Sequence, residues 1–127
     1  MYAEQVIDHY ENPRNAGTVP NADAVGTIGS PASGEMLKLT ISVIQDTIVD
    51  ARFKAFGCPT LIAVGSVLTT HIKGLSTAEA LTITKQHISE ALGSLPPDKM
   101  RYAIDAEELL KRTIHNYVSQ RQKGTSK

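Results

Sequence analysis

The chain holds one cysteine, Cys58, inside the stretch KAFGCPTLIAVGS, where an alternating segment gives way to a helical pattern. A thiol can serve as a nucleophile, as a soft metal ligand, or as a small packed hydrophobe, and its surroundings decide which. Pro59 suits the first position of a helix, because the N–H that proline lacks would have no partner there. Cys58 is then the expected N-cap, with its sulfur at the positive end of the helix dipole. That placement favours the thiolate, and Gly57 lets backbone or ligand come close. A buried apolar site would instead keep the thiol protonated and inert, so the packing reading stands beside the reactive one.

The remaining candidates carry less. His9, His71, His87 and His115 each fall in an expected helix, and none is spaced four residues from another as a helical metal pair requires, so they read as surface or packing residues. Lys38, Arg52 and Lys54 fall on the polar face of two expected strands and read as a solvated surface. Thirteen basic residues balance thirteen acidic ones, and the two signs are mixed along the chain. No global field therefore points to nucleic acid.

The elements that must position Cys58 follow from periodicity. Ala3, Val6, Ile7 and Tyr10 recur at helical spacing until Asn12-Pro13, which predicts a short, weakly anchored first helix. Leu37, Leu39, Ile41 and Val43 alternate with polar residues, as do Val49, Ala51, Phe53 and Ala55, and the short IQDT between them predicts a hairpin. AVGTIGSP, ahead of these, is a candidate edge strand, since its glycines and Pro31 suit no central position. After Cys58, Leu61, Val64, Leu68 and Ile72 share a helix face that ends at Gly74. Ser76 and Thr84 are expected N-caps of two short helices. A last helix is expected from about Asp98 to about Ser119, with 120–127 as a frayed, disordered tail. With 127 residues and 41% hydrophobic content, one domain spanning 1–127 is expected. Its class is α+β, helices covering one face of a small antiparallel sheet. The polar start MYAEQVIDHY, the lone cysteine and the short apolar runs predict a cytoplasmic protein that neither carries an internal disulfide nor enters a membrane.

Four stretches, VIDHYENPRNAG (6–17), GSPASGEMLKL (29–39), DARFKAFGC (50–58) and LPPDKM (95–100), together resemble the IscU/NifU N-terminal family of iron-sulfur cluster assembly scaffolds. The resemblance runs from about Tyr2 to about Tyr117 and implies a three-stranded antiparallel sheet with helices. It implies as cargo iron or a labile iron-sulfur cluster, and as partner a pyridoxal-phosphate cysteine desulfurase that supplies sulfur. The family's ligands are a cysteine in ACGD, the aspartate two residues on, a cysteine in FGCG, and a His-Cys pair after the LPP segment. Carried over residue by residue, Cys58 matches one cysteine and Glu35 stands for the aspartate, so these two are the expected cofactor and metal residues. Ser33, Arg101 and Tyr102 occupy the other former ligand positions, and none offers a soft ligand to iron.

The resemblance thus implies a degenerate scaffold that acts through Cys58 as sulfur acceptor or weak iron site, and not an enzyme. The alternative is an interaction or regulatory protein that keeps the scaffold's docking surface and binds no cluster at all. Arg101 and Tyr102 favour that alternative, with Arg101 free to pair with Glu35 and Tyr102 to fill the space of a cluster. Leu95 to Lys99 resembles the family's chaperone-recognition segment, but Asp98 puts a charge where that segment has a valine.

Overall fold

A computed structural model describes residues 2–125. The elements are α1 (Glu4–Glu11), β1 (Ala24–Ser30), β2 (Glu35–Ile44), β3 (Thr47–Phe56), α2 (Pro59–Ile72), α3 (Thr77–Ala80), α4 (Lys85–Ala91) and α5 (Met100–Thr125). Single 3-10 turns, Pro31–Ser33 and Pro97–Lys99, precede β2 and α5. The three strands form one antiparallel sheet in the order β1-β2-β3, with α2 and α5 packed on one face. The expected α+β architecture and the expected edge strand are both present.

The alternation in β2 puts Leu37, Leu39, Ile41 and Val43 into the core, paired across to Ala55, Phe53, Ala51 and Ile48. The last pairing departs from the sequence expectation. Ile48 is buried while Val49 is exposed, because the register shifts between Ser42 and Val43 and leaves Val49 as the extra residue of a bulge. The hairpin turns at Gln45 and Asp46, both at positive φ (48° and 66°), the signature of a tight turn whose twist suits the strands.

The chain between α1 and β1 manages the edge of β3. Phe53 N–H donates to Asn15 O at 3.0 Å and Gly17 N–H to Phe53 O at 2.8 Å, so the outer edge of β3 is occupied. The segment then crosses the outer sheet face, where Val19 N–H donates to Thr40 Oγ1 at 2.9 Å. The opposite edge, β1, receives side chains of α5: Arg112 Nη1 donates to Thr27 O at 3.1 Å and Asn116 Nδ2 to Val25 O at 3.0 Å.

α2 is buried over most of its circumference, from Leu61 through Ile72. Its face of Leu61, Val64, Leu68 and Ile72 meets the core as expected, while Ser66 turns to α1. There Ser66 Oγ lies 2.7 Å from His9 Nδ1 and accepts from Arg14 N–H at 2.9 Å. α1 is thus fastened by Val6 and a polar clasp, whereas Ile7 and Tyr10 lie exposed instead of sharing the expected buried face. Ser76 and Thr84 both cap as expected, each in a reciprocal capping box, with Glu79 and His87. The last helix starts at Met100 and runs past Ser119 to Thr125, because SQRQK is rich in helix formers and Arg121 reaches Tyr117 one turn back. Of the tail expected at 120–127, residues 126–127 lie outside the described residues. Among the described residues no helix is long and apolar enough to cross a membrane.

α5 approaches β1 closely at Gly26, where an added Cβ would meet Thr113 Oγ1 at 2.1 Å. Gly26→Ala should therefore lower stability by about 1–3 kcal/mol, the cost of overpacking a core contact. Thermal unfolding measures it, and Thr113→Ala in the same chain should recover part of the loss. An unchanged melting temperature for Gly26→Ala would contradict this packing.

Candidate functional site

Three chain segments converge at one end of the sheet. The first is the turn before β2, which places Ser33 and Glu35. The second is the β3-α2 junction, where Gly57 adopts φ 123° and an added Cβ would meet Glu35 Cγ at 2.8 Å, so only glycine lets the two strand ends come together. Cys58 follows as the N-cap of α2, extended at φ −62° and ψ 140°, with Pro59 opening the helix as its ring requires. The third is the 3-10 turn Pro97–Lys99 and the first turn of α5, which bring Lys99, Arg101 and Tyr102.

Ser33 is committed to its own turn. Its single hydroxyl proton is shared between Ser30 O at 2.8 Å and Glu35 O at 3.0 Å, and the oxygen accepts from Ser30 N–H at 3.3 Å. Glu35 is taken from the other side. Tyr102 Oη donates to Glu35 Oε2 at 2.5 Å, Arg101 Nη2 donates to Tyr102 Oη at 2.6 Å, and Arg101 Nη1 lies 3.5 Å from Glu35 Oε1. The Arg101 guanidinium also stacks 4.5 Å from the centre of the Tyr102 ring. The expected pairing of Arg101 with Glu35 is present, but Tyr102, buried where Arg101 is 63% exposed, makes the shorter contact. Burial first, and then the Glu35 hydrogen bond, push the Tyr102 hydroxyl well above its ordinary range, so it stays a donor. Ser33, Glu35, Tyr102 and Asp105, with Leu37 and Leu61, line a half-open cavity of about 170 Å³. Burial raises the Asp105 carboxyl, against the pull of Arg101.

The sulfur sits among donors. Lys99 Nζ and Tyr2 Oη each lie 3.8 Å from Cys58 Sγ, and the Lys99 ammonium stands 5.9 Å and 6.0 Å from the Tyr2 and Tyr102 ring centres. Partial burial pushes the Cys58 thiol up, but it is outweighed: attraction from the Thr60 N–H and hydroxyl, Tyr2 and Tyr102 leaves it below its ordinary value. The Thr60 groups act at longer range, since no side-chain capping bond closes at Cys58 and Thr60 Oγ1 has no hydrogen-bond partner among the described residues.

The structure therefore gathers Ser33, Glu35, Cys58, Arg101 and Tyr102, as expected. Tyr2, Thr60 and Lys99 escaped the sequence reading. Tyr2 is 56 residues from Cys58 and carries no motif, while Lys99 was visible only as part of a chaperone-like segment. Among the described residues no group of three or more His, Cys, Asp or Glu side chains could hold a metal ion.

A fold of this topology with a thiol at the β3-α2 junction defines a class, and comparison gives its family. The model of the NifU-like N terminal domain matches residues 1–124, and the chain belongs to that family. It is 46% identical over 125 residues to the iron-sulfur cluster assembly scaffold protein IscU of Escherichia coli strain K12, covering 95% of this chain and 97% of that one. It is 43% identical over 117 residues to iron-sulfur cluster assembly scaffold protein IscU 1 of Archaeoglobus fulgidus, covering 92% and 76%. The fold matches the N-terminal NifU-like protein of Brucella abortus, with a TM-score of 0.73 at 15% identity over 91% of this chain and 93% of that one.

Alkylation of Cys58 should show an inflection at lower pH than a model thiol, because the thiolate is the attacking form and its donors stabilise it. Lys99→Met keeps the stem against the two rings and removes the charge 3.8 Å from the sulfur, so the inflection should rise. A Cys58 inflection at the model-thiol value would remove the thiolate assignment, and an unshifted Lys99→Met profile would remove the part given to Lys99.

Proposed function

We propose that this chain serves iron-sulfur cluster assembly as a sulfur acceptor on the scaffold fold, with Cys58 as the acceptor and no cluster held by the monomer. The supporting observation is the sign of the groups around the sulfur: Lys99 and Tyr2 contact it, and Tyr102 and Arg101 occupy Glu35. Donors and cations stabilise an anionic sulfur and repel ferrous iron. The donor set does not fit a two-iron cluster, which needs several thiolate or imidazole ligands. Cys58 supplies one thiolate, Glu35 is engaged, and the Ser33 hydroxyl is used by backbone.

The names of the relatives support the setting, and the family resemblance supports a cysteine desulfurase as the partner. In the transfer, Cys58 thiolate attacks the outer sulfur of the partner's persulfide. A new S–S bond forms at Sγ, the old one breaks, and the partner's cysteine leaves as thiolate with the electron pair. One sulfur rides on one chain, so the role is carriage and not turnover. The setting proposed with this reading is the cytoplasm, which keeps a half-buried free thiol reduced. Against recognition by a chaperone at Leu95 to Lys99 stand the burial of Leu95 and the charge of Asp98, which is exposed together with Pro96 and Pro97.

A second reading, an interaction protein without cluster or sulfur chemistry, is favoured by the Glu35-Tyr102-Arg101 network that fills the former ligand positions. Anaerobic incubation with a cysteine desulfurase and cysteine, followed by intact-mass, iron and sulfide analysis, separates the two. One added sulfur on Cys58 and no stoichiometric iron in the monomer are expected. Near-stoichiometric iron and sulfide would overturn the cluster-free reading, and an unmodified Cys58 would favour the interaction protein. The combined variant Ser33→Cys, Arg101→His and Tyr102→Cys should take up a cluster, because the fold supplies the geometry and only ligand atoms are missing. A folded, monomeric triple variant that stays colourless would mean that the pocket itself is remodelled.

A further inference from the structure

Beside Cys58 lies a second cleft, larger than the cavity lined by Glu35 and unused by the reading above. It opens between the start of the chain and the segment leading into α5, with a volume of about 450 Å³. That is large enough for a small ligand. Val6, Leu92 and Leu95 give it apolar walls, and Thr60 lies in its lining. Thr60 is 1% exposed, and its Oγ1 has no hydrogen-bond partner among the described residues. A buried hydroxyl left unpaired is costly, and a small shift of this side chain would bring it to a ligand atom in the cleft. Asp98 and Lys99, of opposite charge, both line the cleft. Tyr2, Thr60 and Lys99 belong to the cleft and to the surroundings of the Cys58 sulfur alike.

These features select a ligand class. A carboxylate suits Lys99 and the Thr60 hydroxyl, an ammonium suits Asp98, and a short apolar stem carrying sulfur suits the walls. An α-amino acid bearing a sulfur side chain has all three parts. We propose that this cleft binds a low-molecular-weight amino-acid persulfide, such as that of cysteine, which passes its outer sulfur to Cys58 without a protein donor. The inference rests on Cys58 as a sulfur acceptor and adds a second source of sulfur. Cys58 thiolate attacks the outer sulfur of R–S–SH, the bond between the donor's two sulfurs breaks, and R–S⁻ departs with the electron pair and takes a proton from solvent. The product is Cys58–S–SH, and no oxidant or reductant is consumed.

The test uses the full chain under anaerobic conditions and two donors, cysteine persulfide and the persulfide of 2-mercaptoethanol, which lacks both charged groups. Intact-mass time courses follow addition of one sulfur to Cys58. Cysteine persulfide should react with saturation, and at low concentration its advantage over the neutral donor should exceed that seen with a free thiol by about tenfold, a factor that one hydrogen bond to a charged group sustains. Asp98→Asn and Thr60→Val should each bring the ratio of the two rates towards the ratio that a free low-molecular-weight thiol shows with the same donors, which their leaving groups set. Both are read as ratios, so a general change in thiol reactivity cancels. Unsaturated rates in the ratio shown by a free thiol would remove the cleft while leaving Cys58 an acceptor. No added sulfur from either donor, and none from a desulfurase with cysteine, would remove the acceptor reading and this inference with it.

Discussion

The burial of α2 against the sheet is the constraint on which the rest depends. Gly65 faces the ring of Phe53 so closely that an added Cβ would lie 2.5 Å from it. The helix therefore packs almost backbone to ring, and α1, α4 and α5 close around its remaining sides. A helix enclosed in this way cannot slide or rotate without opening a void, so its N-terminus is fixed relative to the end of β3. Cys58 inherits that fixity. The Gly57 backbone and the Glu35 side chain then meet at one strand end, and the first turn of α5 is delivered opposite them.

What this rim can do follows from how its charges are spent. A carboxylate that accepts from a tyrosine hydroxyl and lies beside an arginine has little left to give a metal ion. A thiol with an ammonium and a phenol at contact distance gains from being negative. The two halves are coupled through Tyr102, which donates to Glu35 and helps lower the Cys58 thiol. Most of these side chains are partly exposed, so each contact is individually modest, and Tyr102, buried in the core, is the one that sets the geometry.

The start of the chain belongs to the same construction. Tyr2 reaches the sulfur only because α1 is held on α2 by Val6 and by the contact of His9 with Ser66. Asn15 and Gly17 then fasten to β3 before the chain crosses the outer face to β1. One segment thus closes a sheet edge and positions a donor at the candidate site.

Periodicity in β2, the hairpin at IQDT, the helix after Pro59 and the caps at Ser76 and Thr84 were all legible in the sequence, because each depends on neighbours a few residues apart. The motifs also carried the expectation that Ser33, Glu35, Cys58, Arg101 and Tyr102 share a site. The bulge at Val49 was not legible, since an extra residue in one strand is defined only against its partner. Nor was the solvent-facing side of Ile7 and Tyr10, which depends on where α1 lands on α2. Tyr2, Thr60 and Lys99 became neighbours of Cys58 only in the folded chain, and only there did Tyr102 prove the closer partner of Glu35. Local sequence fixes which groups can donate, accept or ionise, but the charge on a thiol depends on groups within a few ångströms, and those distances are set by packing between elements far apart in the chain.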